Sequence, residues 1–429
     1  MKVAFTTLGC KVNQYDTQAL TELFAANGFD VVKSDEFADI YIINSCTVTG
    51  TGDKKTRQAL HKAKKQNPSS IVALTGCFPQ AFPEKAVEVL EADVITGTKN
   101  RASLLPMIMH AISTGQRIIN ISVNNNNDPF EAMQTHQFLG HTRAFVKIED
   151  GCNRFCSYCI IPYARGNIRS KALSDIKKEL ETLAEKGYKE IVFVGINLMA
   201  YGTDNNTSLS DAIEIANGVD GIERIRLGSI EPDLVTQEFL NTIKSIEKFC
   251  PHFHLSLQSG SDLTLKRMNR RYTSEEYANT ISIIRNIFPE CAVTSDVLVG
   301  FSGETDEEFK SSFEFIKRIN FSQIHIFPYS RREGTAAYEF PNQISKSIKD
   351  KRCKELNELA KQSQLAFNKS FVGKTMSVLF EKSNIPDYAV GSAKNNLNVR
   401  VRIQNNLQGL VENVIIKGYF DDYCLGEII

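Results

Sequence analysis

The chain has 429 residues, with 50 Lys and Arg balanced by 50 Asp and Glu. Its composition, 42% apolar and 23% charged, excludes disordered and fibrous proteins and is typical of a globular protein with two or three domains. Because the net charge is zero, any nucleic-acid partner must be held by local basic patches.

The chain shows no sign of membrane insertion or secretion. No apolar run approaches the roughly 20 residues of a membrane helix, and the opening MKVAFTTLGC lacks the organisation of a signal peptide. We therefore expect a cytoplasmic protein. Its ten cysteines then need an explanation, because clustered cysteines in the cytosol are more often metal ligands or catalytic groups than disulfides.

The first 120 residues alternate between apolar strands and helices. Strands are predicted at residues 2–7, 39–44, 71–75 and 93–96, and helices at 17–26, 51–65 and 83–91. This alternation predicts a doubly wound parallel sheet in an α/β domain over residues 1–122. Four Asn followed by Asp-Pro predict a linker over residues 123–137.

Six more strand–helix units follow the linker. Their strands are predicted at residues 144–148, 190–194, 224–227, 252–257, 292–298 and 323–327. Helices include 173–186, 273–287 and 306–319, and a long helix at 346–369 ends the region. Six units are too few for a closed eight-fold barrel, so residues 138–372 predict an open, partial (β/α)6 barrel with its chemistry at the carboxyl ends of the strands.

The last segment, residues 373–429, changes character. Short alternating runs at 377–380, 397–403 and 410–416 are separated by Gly, Asn and Asp. This pattern predicts a small β-barrel of the kind that often binds RNA.

The sharpest motif is Cys152-Asn-Arg-Phe-Cys156-Ser-Tyr-Cys159, which follows the first strand of the partial barrel. Three thiolates at this spacing can hold three corners of a four-iron cluster, because soft sulfur suits its irons, and they leave one iron open to another ligand. The alternative is a structural zinc site. Such a site needs four ligands, and the nearest histidine, His141, lies eleven residues upstream.

A second set of cysteines follows three N-terminal strands, with Cys10 in TTLGC, Cys46 in IINSC and Cys77 in ALTGC. The carboxyl ends of parallel strands converge at one edge, where open α/β sheets bind ligands. Each cysteine alone would be a buried apolar residue. Their repetition at equivalent strand ends instead predicts a second three-thiolate cluster, and the other four cysteines are interpreted as structural.

The spacing of Cys152, Cys156 and Cys159 resembles the motif of the radical S-adenosylmethionine (SAM) superfamily. The resemblance implies that the open iron binds SAM, which one electron cleaves to methionine and a 5′-deoxyadenosyl radical. It also implies that Tyr158 lies beside the adenine of SAM.

The three-part organisation resembles the methylthiotransferase family over essentially the whole chain, with a C-terminal part similar to a TRAM domain. Gly9-Cys10-Lys11-Val12-Asn13-Gln14 resembles the MtaB-type branch, which acts on N6-threonylcarbamoyladenosine in tRNA. Four further blocks match the family: FVGIN from 193, RLGSIEP from 226, HLSLQSGS from 254 and DVLVGF from 296. In these blocks we expect SAM contacts from Gly195, Asn197, Ser229, Glu231 and Gln258.

The resemblance implies that a methylthio group replaces the hydrogen on C2 of the adenine. The cluster at Cys152, Cys156 and Cys159 would generate radicals, and the cluster at Cys10, Cys46 and Cys77 would hold the inserted sulfur. One SAM would donate the methyl group and another would be the radical source, with electrons from a reductant such as flavodoxin or ferredoxin. The alternatives are the sister activity on isopentenyladenosine tRNA or a ribosomal-protein aspartate, and an RNA-binding protein with structural metal.

Two basic clusters are candidate RNA contacts. The helix predicted after Cys46 carries six Lys and Arg and no acid over residues 54–65, where we expect phosphate contacts from Lys54, Lys55, Arg57 and Lys62. Arg270 and Arg271 belong to a second cluster. The alternative for both clusters is a solvated surface.

Overall fold

The computed structural model describes residues 1–125, 128–137, 142–403 and 405–429. In these residues the chain forms three parts in sequence order: a parallel α/β sheet, an open parallel barrel and a closed β-barrel. No helix in this part of the chain has both the length and the apolar character needed to cross a membrane.

The N-terminal part is a six-stranded parallel sheet with the strand order β2-β1-β3-β4-β5-β6. Its strands are β1 Lys2–Thr7, β2 Asp30–Val32, β3 Ile40–Ser45, β4 Ile71–Gly76, β5 Val94–Thr96 and β6 Ile118–Asn120. Its helices are α1 Lys11–Ala26, α2 Gly50–Gln66, α3 Cys77–Ala81, α4 Pro83–Val87 and α5 Leu104–Thr114. The doubly wound sheet predicted from the sequence is confirmed, with β2, β6 and α5 as additional elements.

Helices cover both faces of this sheet because its buried strands alternate between two apolar cores. On β3, Ile40 and Ile42 pack with Phe24 of α1 and Ile108 of α5. Tyr41 and Ile43 of the same strand pack with Leu60 of α2 on the opposite face. Successive side chains of a strand point to opposite faces, so an all-apolar strand supplies two cores.

The central part is an open barrel of parallel strands, as predicted. Its strands and the small antiparallel pair β8–β9 are β7 Arg143–Lys147, β8 Glu149–Asp150, β9 Arg169–Ser170, β10 Glu190–Val194, β11 Arg224–Leu227, β12 Ser229–Ile230, β13 His252–Leu255, β14 Ala292–Val299 and β15 Gln323–Pro328. Its helices are α6 Ile161–Arg165, α7 Leu173–Glu185, α8 Leu209–Asn217, α9 Gln237–Lys244, α10 Asp262–Arg267, α11 Ser274–Ile287, α12 Asp306–Ile319 and α13 Lys346–Lys369.

The barrel strands form two adjoining sheets, β11-β10-β7 and β12-β13-β14-β15. Capping boxes fix the starts of several outer helices. For example, Thr305 accepts from the backbone of Glu308, whose carboxylate accepts in return from the backbone of Thr305. These helices hold the strands in a curved layer whose inner face surrounds a cavity.

The C-terminal part is a closed five-stranded barrel with the order β16-β17-β18-β20-β19. Its strands are β16 Thr375–Glu381, β17 Tyr388–Ala393, β18 Asn398–Arg402, β19 Val411–Tyr419 and β20 Cys424–Ile428. The β-barrel prediction is confirmed, although only three of its strands were predicted from the sequence.

Two arginines join the C-terminal barrel to the base of the open barrel. Arg224 donates to the Ser392 carbonyl oxygen at 2.9 Å, and Arg226 donates to the Lys394 carbonyl oxygen at 3.0 Å. Both guanidinium groups also pair with the buried Glu190 carboxylate, at 2.6 and 2.8 Å. Burial alone would raise the pKa of Glu190, but the neighbouring arginines lower it to about 2.

Candidate functional site

The structure brings Cys10, Cys46 and Cys77 together at one edge of the N-terminal sheet. They follow β1, β3 and β4, which are neighbours in the sheet. Ser45 pairs directly with Gly76 in the strand register, so Cys46 and Cys77 are the next residues along two adjacent strands. Thr7 pairs with Asn44, which places the loop that carries Cys10 beside them.

Glycines with a left-handed backbone shape the turns before the cysteines. Gly9, Gly76 and Gly151 precede Cys10, Cys77 and Cys152, with φ values of +98°, +98° and +99°. A Cβ on Gly9 would lie 2.8 Å from Cys46 Sγ, and one on Gly151 would lie 1.9 Å from the Asn167 carbonyl oxygen. Residues other than glycine rarely adopt this backbone, so these positions favour glycine twice over, by conformation and by space.

Cys152, Cys156 and Cys159 lie in the loop after β8. The Cys152 backbone N–H donates to the Gly166 carbonyl oxygen at 3.0 Å, and the Cys159 N–H donates to the Cys156 carbonyl oxygen at 2.9 Å. Burial raises the pKa of Cys152 and Cys159 to about 12 each, and the charge of the neighbouring thiols adds to this shift.

Each trio supplies three soft thiol ligands, which suit the irons of an iron–sulfur cluster and leave one iron open to another ligand. A structural zinc site needs four protein ligands. His141, the histidine nearest in sequence, lies outside the described residues.

Arg270, predicted from the sequence as an RNA contact, has a largely buried side chain that faces the cysteine loop. Its side chain is 3% exposed and donates to Cys156 Sγ at 3.3 Å. It also pairs with the Glu231 carboxylate, which lies 3.6 Å from Arg154. A sequence cluster of arginines does not reveal that one of them faces inward, beside the cysteine loop. Glu231, predicted to contact SAM, already has this ionic partner.

A buried ionic network that the sequence did not reveal joins the two cysteine sites. Arg165 is fully buried and donates to Asp16 at 3.2 Å and to Asp150 at 3.0 Å. Burial raises the pKa of the nearby Cys77 thiol, and the charge of Arg165 lowers it in part. Asp150 lies two residues before Cys152, and Asp16 belongs to α1 after Cys10. Arg165 thus lies beside the N-terminal trio on one side and supports the strand that leads to the second trio on the other.

The residues predicted to contact SAM lie after the barrel strands. Gly195 packs against Glu149, since a Cβ on Gly195 would lie 2.6 Å from the Glu149 Oε2 atom. Glu149 accepts from the Asn197 backbone N–H at 2.7 Å, and the buried Asn197 Oδ1 has no hydrogen-bond partner among the described residues. Burial raises the pKa of Glu149.

The remaining predicted SAM contacts have distinct surroundings. Gln258 has a left-handed backbone, φ +68°, a strained conformation often found at functional sites. Tyr158 is half-buried, and its ring packs edge-on against Phe301 at 6.3 Å. Ser229 lines a cavity together with Gly195 and Cys10.

That cavity fills the open barrel and has a volume of about 600 Å³. Its wall includes three side chains from adjacent strands: His254 of β13, Asp296 of β14 and His325 of β15. Asp296 pairs with His325 in the strand register, and their side chains therefore share one face. The His254 Nε2 atom lies 3.4 Å from the Asp296 carboxylate.

The other RNA candidates are on the surface. Lys54, Lys55, Arg57 and Lys62 are exposed along α2, and none has an ion-pair partner within the described parts of the chain. Arg271 is exposed, and its guanidinium donates to the Asn153 carbonyl oxygen at 3.4 Å.

The family matches cover both cysteine trios. Residues 146–316 match the radical SAM superfamily, and residues 2–97 match uncharacterized protein family UPF0004. The solved structure of the radical SAM methyltransferase TsrM from Kitasatospora setae aligns with a TM-score of 0.56 and 14% identity, covering 76% of this chain and 72% of that chain. This similarity shows a shared fold.

Curated relatives cover nearly the full length. The threonylcarbamoyladenosine tRNA methylthiotransferase MtaB of Bacillus subtilis is 37% identical over 100% of this chain and 96% of its own length. The MtaB of Aquifex aeolicus is 39% identical over 90% of this chain and 94% of its own length. A tRNA-2-methylthio-N(6)-dimethylallyladenosine synthase of Pelotomaculum thermopropionicum is 33% identical over 97% of this chain and 95% of its own length.

Proposed function

Because this chain belongs to the radical SAM methylthiotransferases, we propose that it transfers a methylthio group to C2 of N6-threonylcarbamoyladenosine next to the anticodon of tRNA. The observation that carries this proposal is the pair of cysteine trios, one at the carboxyl ends of the parallel strands β1, β3 and β4 and one in the loop after β8, with Cys10 and Gly195 lining the same cavity. The relatives with this printed activity are 37–39% identical.

The enzyme uses SAM and two four-iron clusters. We assign one cluster to Cys152, Cys156 and Cys159 and the other to Cys10, Cys46 and Cys77. When bound, these groups supply the radical that breaks an unactivated C–H bond and the sulfur that replaces the hydrogen. Arg270 and Arg165 place a positive charge beside Cys156 and Cys77, which offsets the negative charge of the thiolates.

The chain's own polar groups orient SAM in this proposal. The unpartnered Asn197 Oδ1 is an acceptor for the amino group of SAM, and an orphaned buried acceptor is costly unless a ligand satisfies it. Gly195 and Ser229 line the barrel cavity. In this proposal Gln258 also contacts SAM, and Tyr158 supplies an aromatic face for the adenine. Glu231 acts through Arg270.

The remaining parts of the proposal concern organisation and partners. We divide the chain into an N-terminal cluster domain at 1–122, a linker at 123–137, a radical SAM barrel at 138–372 and a TRAM-like domain at 373–429. A low-potential donor such as flavodoxin or ferredoxin supplies the electrons, and the enzyme works in the cytoplasm on tRNA.

Nucleoside analysis of tRNA tests the proposed function. In a strain that lacks this gene, we expect the 2-methylthio mark to disappear from threonylcarbamoyladenosine, and a plasmid copy should restore it. Loss of the mark from isopentenyladenosine instead would assign the chain to the sister activity, whose relatives reach 32–36% identity. An unchanged tRNA profile would overturn both assignments.

The basic face of α2 is expected to bind tRNA phosphates. Replacing Lys54, Lys55, Arg57 and Lys62 together by Gln should weaken tRNA binding. It should also reduce the slope of log K against log salt by roughly three if four phosphate contacts are lost. Fluorescence anisotropy with labelled tRNA at several salt concentrations measures both effects.

A matched control removes the same charge from another surface. Lys177, Lys178, Lys351 and Lys354 are exposed on α7 and α13, so their replacement by Gln should leave the salt slope unchanged. Equal slopes for wild type and the α2 variant would rule out this face as the contact.

A further inference from the structure

The cavity in the open barrel has a cationic side next to the N-terminal cysteine trio. The charged side chains that line it are Lys11, Arg143, Arg226 and Lys382 against Asp296 and Glu381. The four positive and two negative groups, together with the histidines of β13 and β15, favour a ligand that is polar and carries negative charge.

Two of these four cations have ion-pair partners among the described residues. Arg226 pairs with Glu190, and Arg143 pairs with Glu190 and Glu381. Lys11 is open to the cavity, and its amine has no ion-pair partner among the described residues. A lysine amine that faces a cavity without an ion-pair partner of its own is a ready site for a ligand carboxylate.

The position of Lys11 relative to the proposed chemistry is specific. It directly follows Cys10, and consecutive Cα atoms are about 3.8 Å apart. C2 of the adenine must reach the N-terminal trio to receive sulfur. The N6 substituent is attached at C6, which is two positions from C2 in the same six-membered ring. When C2 lies at the trio, the substituent therefore lies within reach of the Lys11 side chain.

We propose that Lys11 binds the carboxylate of the threonylcarbamoyl substituent and thereby selects this nucleoside over those with an uncharged N6 substituent. This inference rests on the proposed function and adds the residue that reads the substrate. An isopentenyl group has no charge to pair with Lys11, so entry of that substrate would cover this cation without supplying a counter-ion.

The spacing of His254, Asp296 and His325 would also admit a divalent metal ion. The charge of the cavity favours a hydrogen-bonding wall instead, because its excess of positive side chains would repel a cation. The His254 Nδ1 atom is bonded to Thr294 Oγ1 at 2.9 Å. This wall provides polar atoms for the ureido and hydroxyl groups of the substituent.

The test uses two tRNA anticodon stem–loops that differ in one group. One carries threonylcarbamoyladenosine and the other carries its methyl ester, which keeps the shape and removes the charge. For the reconstituted wild-type enzyme we expect kcat/KM for methylthiolation to be about 10-fold or more higher with the acid. For Lys11→Met the acid-to-ester ratio should fall to about one, and Lys11→Arg should recover part of the preference.

Binding supplies a second readout because Lys11 adjoins a proposed cluster ligand. Anisotropy with both stem–loops gives the same acid-to-ester ratio without turnover, and iron content shows whether each variant keeps its clusters. Lys361→Met removes an exposed lysine of α13 that does not line the cavity, and it should behave as wild type.

The outcomes separate the two proposals. If the wild type fails to methylthiolate the acid stem–loop, the proposed function is wrong. If the wild type is active and Lys11→Met keeps the wild-type acid-to-ester ratio in both turnover and binding, the assignment of Lys11 is overturned.

Discussion

Alanine in place of Cys152, Cys156 and Cys159 together is expected to abolish methylthiolation and to leave about four irons per chain, against about eight in the wild type. Without these thiols the cluster that binds SAM has no protein ligands, so neither 5′-deoxyadenosine nor the methylthio product should form. Iron and sulfide assays after anaerobic reconstitution, with mass spectrometry of the nucleosides, measure these effects.

The companion variant distinguishes the two trios. Alanine at Cys10, Cys46 and Cys77 should also leave about four irons and abolish methylthiolation, but 5′-deoxyadenosine should still form because the other cluster remains. Cys353→Ala is the control, since this half-buried cysteine of α13 lies in neither trio. Eight irons in either triple variant would refute the ligand assignment.

Arg165→Ala is expected to lower the free energy of unfolding by about 3–5 kcal/mol, because it leaves Asp16 and Asp150 buried with fewer counter-charges. Urea denaturation measures the change. Arg57→Ala removes an exposed arginine and should change stability by less than about 0.5 kcal/mol. Lys147 also pairs with both carboxylates, and Arg101 pairs with Asp16. A similar small change for Arg165→Ala would mean that these two cations suffice to hold the two carboxylates.

The effect of Arg165→Ala should also depend on pH. Burial alone would raise the pKa of Asp150, but Arg165 and its neighbours lower it below the ordinary value, and Asp16 behaves in the same way. Groups with a lowered folded pKa stabilise the protein above their unfolded pKa of about 3.9, and the contribution is lost as pH falls towards the folded value. The difference between wild type and variant should therefore be largest near neutral pH and shrink below about pH 4.

The fold was largely predictable from the sequence because its core strands are short, apolar and evenly spaced. Strands β1, β10 and β11 and helices α12 and α13 have the predicted bounds. The short strands β2 and β6 were not predicted, because three-residue edge strands carry little periodic signal. Helix α5 was not predicted either, although it ends at Gly115, whose left-handed backbone is typical of a helix terminus.

The N-terminal cysteine trio could be predicted from the order of strands and helices, and the second trio from its spacing. The charged residues that connect the two trios could not be predicted. Arg165 bonds to Asp16 and lies near Cys77 across more than 80 residues of sequence, and such contacts depend on how two parts of the chain dock. Arg270 shows the converse case. A run of arginines predicts a basic surface, and only the three-dimensional structure reveals that one of them faces a sulfur.

The contacts of Arg224 and Arg226 with the C-terminal barrel affect how the chain tolerates truncation. A fragment that stops before β16 would lose the carbonyl oxygens of Ser392 and Lys394 as well as Glu381, and water would enter the cavity from its base. Likewise, a chimera that takes this barrel from a relative would need backbone carbonyl groups within hydrogen-bond distance of the two guanidinium groups, where Ser392 and Lys394 supply them here. The C-terminal barrel therefore forms part of the cavity wall, and it is not an independent RNA-binding module that can be removed without affecting the cavity.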